Sequence, residues 1–294
     1  MAQSRIVAEA MRCRHPGLQI ELVPIVTRGD RLAGRLEKAG GKGLFTAELE
    51  RALRAETIDL AVHSAKDLPT AMAGDLVIAG VPPRADPRDA LVSRRGVSVS
   101  DLPARARVGT GSLRRRVQLL AARGDLDVVP IRGNVDSRLR KILADEPSGR
   151  ERLDAVVLAM AGLLRSGLAD KYAKSIHPLD VVDFVPAAGQ GSLAVQARAG
   201  NREIIELASG IDDADAHQAL SAERRVLAAL AAGCHSCLGV HVLRAGQEWH
   251  GYAFAASPDG SRLVRLQVAA SDAEQAADKL VSTLRGPDTG SILH

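Results

Sequence analysis

The strongest constraint on this chain is a unit that recurs along it: a short apolar run ending at a glycine or a charge, followed by a helix-length segment. Residues 58–62 form such a run and end in His63-Ser64-Ala65-Lys66-Asp67-Leu68-Pro69. Residues 127–131 end in Arg132-Gly133, and residues 154–159 form a third run. Buried strands alternating with helices predict an α/β fold, with parallel sheets covered by helices. Helices are expected over 5–13 (stopped by His15-Pro16-Gly17), 45–54, 113–123 and 137–143. Residues 18–27 alternate and carry β-branched side chains, which predicts a further strand. Glu56-x-Ile58-Asp59-x-x-Val62 and Glu151-x-Leu153-Asp154-x-x-Val157 share one pattern, as expected for two lobes of similar build with a ligand between them.

Beyond the Pro/Gly-punctuated stretch 181–191, expected to cross back between lobes, the texture changes. A helix is expected over 211–230, then strands over 239–243, 248–255 and 263–269 with a turn at Pro258-Asp259-Gly260, and a last helix over 273–284. That is a small α+β domain. At about 100–200 residues per domain, 294 residues allow two or three.

No run nears the roughly 18 apolar residues of a membrane span, and the N-terminus lacks a secretory layout, so a cytoplasmic protein is expected. Three Cys cannot build a disulfide framework. Aromatics make up only 2%, which leaves no platforms for stacking bases. Residues 101–152 hold twelve Lys and Arg against seven Asp and Glu, enough to account for the whole net charge of +4. Such a segment is either a solvated basic face or the seat of an acidic partner, so the individual arginines decide.

Gly109-Thr110-Gly111-Ser112-Leu113-Arg114-Arg115 lacks the third glycine of a dinucleotide loop. Ser112 reads as an N-cap, which puts Arg114 and Arg115 in a helix's first turn, where the macrodipole disfavours cations. Either an anion docks between them or both side chains bend away into solvent. Arg132 stands at a strand's carboxyl end, where open sheets bind ligands, and Arg138 lies in the next helix. Lys66-Asp67 could pair a cationic anchor with an acid/base group, or be solvated charge. Cys234-His235-Ser236-Cys237 has no second ligand pair for zinc, leaving a buried cysteine or a reactive loop thiol. Cys13 reads as inert.

Taken together, these strings resemble the porphobilinogen deaminase (hydroxymethylbilane synthase) family. Thr27-Arg28-Gly29-Asp30, Gly40-Gly41-Lys42-Gly43-Leu44-Phe45, the His63 to Pro69 string, the Gly109 to Arg115 string, Arg132-Gly133-Asn134-Val135, Pro186-Ala187-Ala188-Gly189-Gln190-Gly191 and Gly233-Cys234 occur in one order, over about residues 15–285. The resemblance implies two periplasmic-binding-protein-like lobes plus a small α+β C-terminal domain: 1–86 with 187–206, then 87–186, then 207–294. It implies a cytoplasmic monomer that deaminates porphobilinogen and polymerises it into hydroxymethylbilane, without nucleic acid, membrane or metal. The implied cofactor is a dipyrromethane held by Cys234 through a thioether. Asp67 is the implied catalytic carboxylate. Lys66, Ser112, Arg114, Arg115, Arg132 and Arg138 are the implied cofactor binders, and Lys38, Lys42, Arg165 and Gln190 the implied substrate binders. A bilobal anion-binding protein without chemistry, and a nucleic-acid binder using the basic segment, are the competing readings.

The sequence departs from the family pattern in places. His235 and Cys237 stand where Gln and Pro are usual, and the second thiol raises the question of misattachment. The usual opening strand and Thr-Arg-x-Ser-x-Leu-Ala segment are not found, and Met1-Ala2-Gln3 falls inside the first helix. The expectation is a start placed too late or a truncated chain, with strands 18–27 and 58–62 facing each other across a missing ladder, a destabilised first domain and poor activity. The stretch after Arg138, with Pro147-Ser148-Gly149 at its tip, reads as a tolerated surface insertion.

Overall fold

The computed structural model describes residues 1–26, 46–143, 152–232, 236–286, 289 and 292. Helix α1 (Ala2–Arg14) is followed by α2 (Ala47–Arg54), β1 (Ala61–Ser64), a 3-10 turn (Ala65–Asp67), β2 (Leu76–Gly80) and β3 (Asp89–Ser93). Next come β4 (Arg107–Gly109), α3 (Leu113–Ala122), β5 (Asp127–Val129), α4 (Val135–Leu143), β6 (Ala155–Ala159), α5 (Met160–Arg165), α6 (Leu168–Lys171) and β7 (Ile176–Pro178). The chain then runs through β8 (Leu193–Arg198), α7 (Arg202–Ser209), α8 (Ala214–Ala229), β9 (Leu238–Ala245), β10 (Glu248–Ala256), β11 (Leu263–Ala270) and α9 (Ala273–Leu284).

Among the described residues these strands make three sheets, ordered β1-β8-β2, β5-β4-β6-β3-β7 and β11-β10-β9. In the middle sheet, alternation sends side chains to two cores. Leu91, Val108, Ala155 and Val157 face a cluster with Leu119 and Phe184. Ala90, Val92, Val156 and Leu158 face another with Leu139, Ile142 and Leu163. Both faces are therefore covered, which explains why these strands read as unbroken apolar runs. The same logic holds in the first sheet: Leu193, Val195 and Ala197 face α1 and α7, and Ala194 faces Leu220 of α8. In the third sheet, α8 and α9 pack on one face, while β11 alternates exposed and half-buried residues before a buried end.

The structure corrects several expectations. The sheets are not simply parallel. The first has antiparallel pairs on both sides of β8, and the second joins parallel β4 pairs to antiparallel β3 pairs. Residues 18–26 form no strand. Their alternation is real, since Leu18 and Ile20 pack on the α1 core, but no described strand lies beside them to make a ladder. The strand expected over 58–62 lies at Ala61–Ser64, so His63 and Ser64 belong to it rather than to the loop. The stretch 181–191 does lead between sheets, but it leads into β8, which sits at the centre of the first sheet. Residue 27, Gly40 to Gly43 and Pro147-Ser148-Gly149 lie outside the described residues.

Candidate active site

Strand β3 opens on Asp89, whose register partner Ala159 ends β6, so this carboxylate sits at the carboxyl edge of the middle sheet. Ser112 caps α3 by accepting a hydrogen bond from the Arg115 N–H at 3.5 Å, with Arg114 and Arg115 in the first turn. Both guanidiniums turn onto Asp89, at 2.8 Å from Arg114 and 2.6 Å from Arg115. Arg114 also donates to the Val185 carbonyl at 2.6 Å, and Arg115 to the Val157 carbonyl at 3.1 Å. Gln190 Nε2 donates to Asp89 Oδ1 at 2.8 Å. Burial alone would raise the Asp89 pKa; the two guanidiniums and Gln190 override it and hold the carboxyl well below its usual range. The anion expected between the two arginines is therefore, in large part, the protein's own.

A cavity of about 120 Å³ opens beside this knot. Lys66, Arg115, Arg138 and Arg165 line it, and none of the described lining residues is acidic. Arg138 donates to the Gly133 carbonyl at 2.7 Å and Arg165 to the Gly191 carbonyl at 2.5 Å. Neither has a carboxylate partner among the described residues, and burial lowers the pKa of each, Arg115 adding to the effect on Arg138. Desolvated cations without counterions form a pocket suited to a ligand with several carboxylates.

The 3-10 turn after β1 presents Lys66 to this cavity and carries Asp67 next to it. The Asp67 side chain stays accessible to solvent, yet surrounding protein removes enough water to push its carboxyl pKa up, against the pull of Lys66. Burial pushes the Lys66 ammonium down, with Asp67 opposing. A carboxyl raised in this way can hold a proton to donate and then act as a base.

The loop Gly189-Gln190-Gly191 closes another wall. Gly189 takes φ +72°, and a Cβ there would approach the Lys66 nitrogen to 3.0 Å, so only glycine lets this loop rest on the Lys66 turn. From behind, the buried Glu223 of α8 accepts the Gly189 N–H at 2.5 Å and pairs with Arg84 at 2.7 Å. Arg84 also donates to the Gln190 carbonyl. Burial opposes ionisation of Glu223, but Arg84 and His241 hold its pKa down to about 2.

Of the residues singled out in the sequence, the cavity thus collects Lys66, Arg115, Arg138, Arg165 and Gln190. Asp67 adjoins Lys66 in the same turn, while Ser112 caps its helix and Arg114 is bound into the Asp89 knot. Arg132 lies exposed in the loop before α4 and does not line the cavity. Lys38, Lys42 and Cys234 lie outside the described residues. Cys237 is buried among Val117, Val185 and Phe254, and that burial raises its thiol pKa. Sequence reasoning missed Asp89, Glu223 and Gln3, whose amide donates to Ser64 at the cavity wall. A signal for Asp89 existed: it is an acid opening the apolar run Ala90-Leu91-Val92.

Residues 1–206 match the family model described as porphobilinogen deaminase, dipyromethane cofactor binding domain. The porphobilinogen deaminase of Roseiflexus castenholzii is 45% identical over 266 residues, covering 90% of this chain and 84% of the relative. That of Syntrophotalea carbinolica is 43% identical over 291 residues, covering 97% and 90%. Among solved structures, the methionine binding protein MetQ aligns over 74% of this chain and 86% of its own, at 15% identity and a TM-score of 0.42.

Proposed function

The chain belongs to the porphobilinogen deaminase family of dipyrromethane-binding transferases in porphyrin biosynthesis, and we propose that it joins porphobilinogen units head to tail into hydroxymethylbilane on a primer tethered by Cys234. The observation that carries this reading is the cavity with four cations and, among the described residues, no acid in its lining, next to an aspartate of raised pKa. Each porphobilinogen brings an acetate and a propionate, so a growing chain multiplies carboxylates. The donor set fits a dipyrromethane for the same reason. When bound, that group supplies the nucleophilic pyrrole carbon on which the chain grows.

The protein's own residues supply the rest. Arg115, Arg138 and Lys66 hold the primer's carboxylates, with Ser112, Arg114 and Arg132 assisting from the Asp89 knot and the flanking loop. Arg165 and Gln190, with Lys38 and Lys42, hold those of the arriving substrate. A charge-assisted hydrogen bond contributes about 1.5–3 kcal/mol, so several of them can orient a ring without covalent help. Asp67 donates a proton to the aminomethyl nitrogen as the C–N bond breaks and ammonia leaves. The carboxylate so formed faces the positive charge left on the substrate ring, and later takes up the α-proton lost when the new C–C bond has formed. Cys237, buried and with its thiol pKa raised, is a poor thiolate, which supports Cys234 as the tether. The reading includes a monomer in the cytoplasm with a small-molecule substrate; no described helix is long and apolar enough to cross a membrane. It also includes the division into 1–86 with 187–206, 87–186 and 207–294, since each part holds one sheet.

Intact-mass measurement tests the proposal. Purified wild-type protein is expected to carry the extra mass of a dipyrromethane, to lose it in Cys234→Ser, and to consume porphobilinogen with release of ammonia. An unmodified wild-type thiol together with no ammonia release would leave a bilobal anion binder instead.

A further inference from the structure

Helix α8 grips both walls of the cavity with adjacent residues. Neighbours on a helix point about 100° apart, so one helix can reach two loops. Glu223 takes the Gly189 wall, as described above. Arg224, half-buried, donates through Nη2 to the carbonyls of Pro69 at 2.9 Å and Thr70 at 3.1 Å, where the Lys66–Asp67 turn leaves the cavity. Thr70 answers with its own hydroxyl, donating to the Ala232 carbonyl at 3.1 Å, just beyond α8. None of these groups lines the cavity. Together they fix the far end of the turn that carries Asp67, while its near end is held by β1 and by the contact with Gly189.

We propose that Thr70 and Arg224 are positioning residues for the reaction: they staple the Asp67 turn to α8, so that the carboxylate keeps its place relative to the Gly189–Gln190 wall. The inference rests on the functional reading above, because Asp67 must be the acid for its placement to matter. Both residues act through backbone carbonyls, and neither contributes charge to the ligand. Displacing a catalytic group by about 1 Å can cost up to roughly 10²-fold in rate, so losing one staple is expected to lower kcat about tenfold. Substrate affinity, set by the cavity's arginines, should hold.

The test compares Thr70→Val, which keeps the shape and removes the donor, with Thr70→Ser, which keeps the donor, and with Arg224→Met. Each is purified as holoprotein, weighed for dipyrromethane, and assayed below its Tm. The expected result is a full dipyrromethane load in all three, kcat down about tenfold in Thr70→Val and Arg224→Met with KM within about twofold, and near wild-type kcat in Thr70→Ser. Four results would overturn the proposal: unchanged kcat in both Thr70→Val and Arg224→Met, a rise in KM alone, a lower Tm with normal kcat, or Thr70→Ser as impaired as Thr70→Val. A variant that folds but carries no dipyrromethane would also overturn it, by placing the staple in cofactor assembly. If wild-type protein carries no dipyrromethane and releases no ammonia, the functional reading fails, and the variants need not be assayed to see it.

Discussion

Asp67 and Asp89 carry the same side chain, and the fold sends them in opposite directions. Asp89 is fully buried, meets two guanidiniums and an amide, and stays ionised. Asp67 remains open to solvent with, among the described residues, a single lysine beside it, and its proton is held more tightly than usual. Partner count, more than burial, separates the two, since desolvation pushes both pKa values upward. An aspartate given two arginines becomes part of the frame. One given a single, itself desolvated, lysine becomes a group that can pass a proton.

Removing each carboxyl tests that contrast, and the largest effect belongs to Asp67. Asp67→Asn is expected to cut turnover by about 10²–10⁴-fold while the melting curve and the dipyrromethane mass stay near wild type. Near-normal ammonia release from this variant would end the distinction between the two aspartates. Asp89→Asn should do the reverse, costing about 3–5 kcal/mol in urea unfolding because two buried guanidiniums lose their counterion. The pH dependence has a definite sign. Asp89 titrates lower in the folded state than in the unfolded one, so its contribution is present above the ordinary carboxylate range and is lost as the pH falls through and below it. Asp67, raised, contributes in the opposite sense: present at acid pH and lost as the pH rises. Urea unfolding at a series of pH values should therefore show a weaker acid loss in Asp89→Asn than in wild type.

The arginines sharpen the same comparison at smaller scale. Arg165→Met removes a cation that has no carboxylate partner among the described residues. It should raise KM for porphobilinogen about tenfold or more, as expected for losing a charge-assisted bond of roughly 1.5–3 kcal/mol, with little change in Tm. The smallest effect belongs to Arg140. Its bridge to Asp136 at 2.7 Å is solvated, with the Arg140 side chain 78% exposed. Arg140→Ala should cost less than about 0.5 kcal/mol and leave turnover unchanged, which would separate the cavity's cations from the basic surface around them.

What could be read in the sequence follows from how local each cause is. The Ser112 cap, the middle-sheet strands β5 and β6 and the C-terminal meander are set by neighbouring residues, and the structure places them within a few positions of expectation, whereas β3, β4 and β7 of the same sheet were not foreseen. The α1 stop at His15 was equally legible. Central β8 was hidden because its strand character depends on β1 and β2, which are far away in the chain. Residues 18–26 fail the other way: the alternation is present, but a strand also needs a neighbour. In the site, the arginines were visible as a charge excess and the Lys66–Asp67 turn as a motif. The Asp89 knot was not, because the resting place of Arg114 is decided by a carboxylate 25 positions earlier. Glu223 was hidden for the same reason, its partner Gly189 lying 34 positions away.

Gln190 stands where the three sheets meet. Its side chain ties the Pro87 carbonyl to Asp89, and its own carbonyl is held by Arg84, which is anchored in turn on Glu223. One residue thus ties together parts of all three sheets, beside the Thr70 and Arg224 contacts that hold the Asp67 turn to α8. Because the same side chain also borders the cavity, damage there would blunt cohesion and turnover in a single stroke.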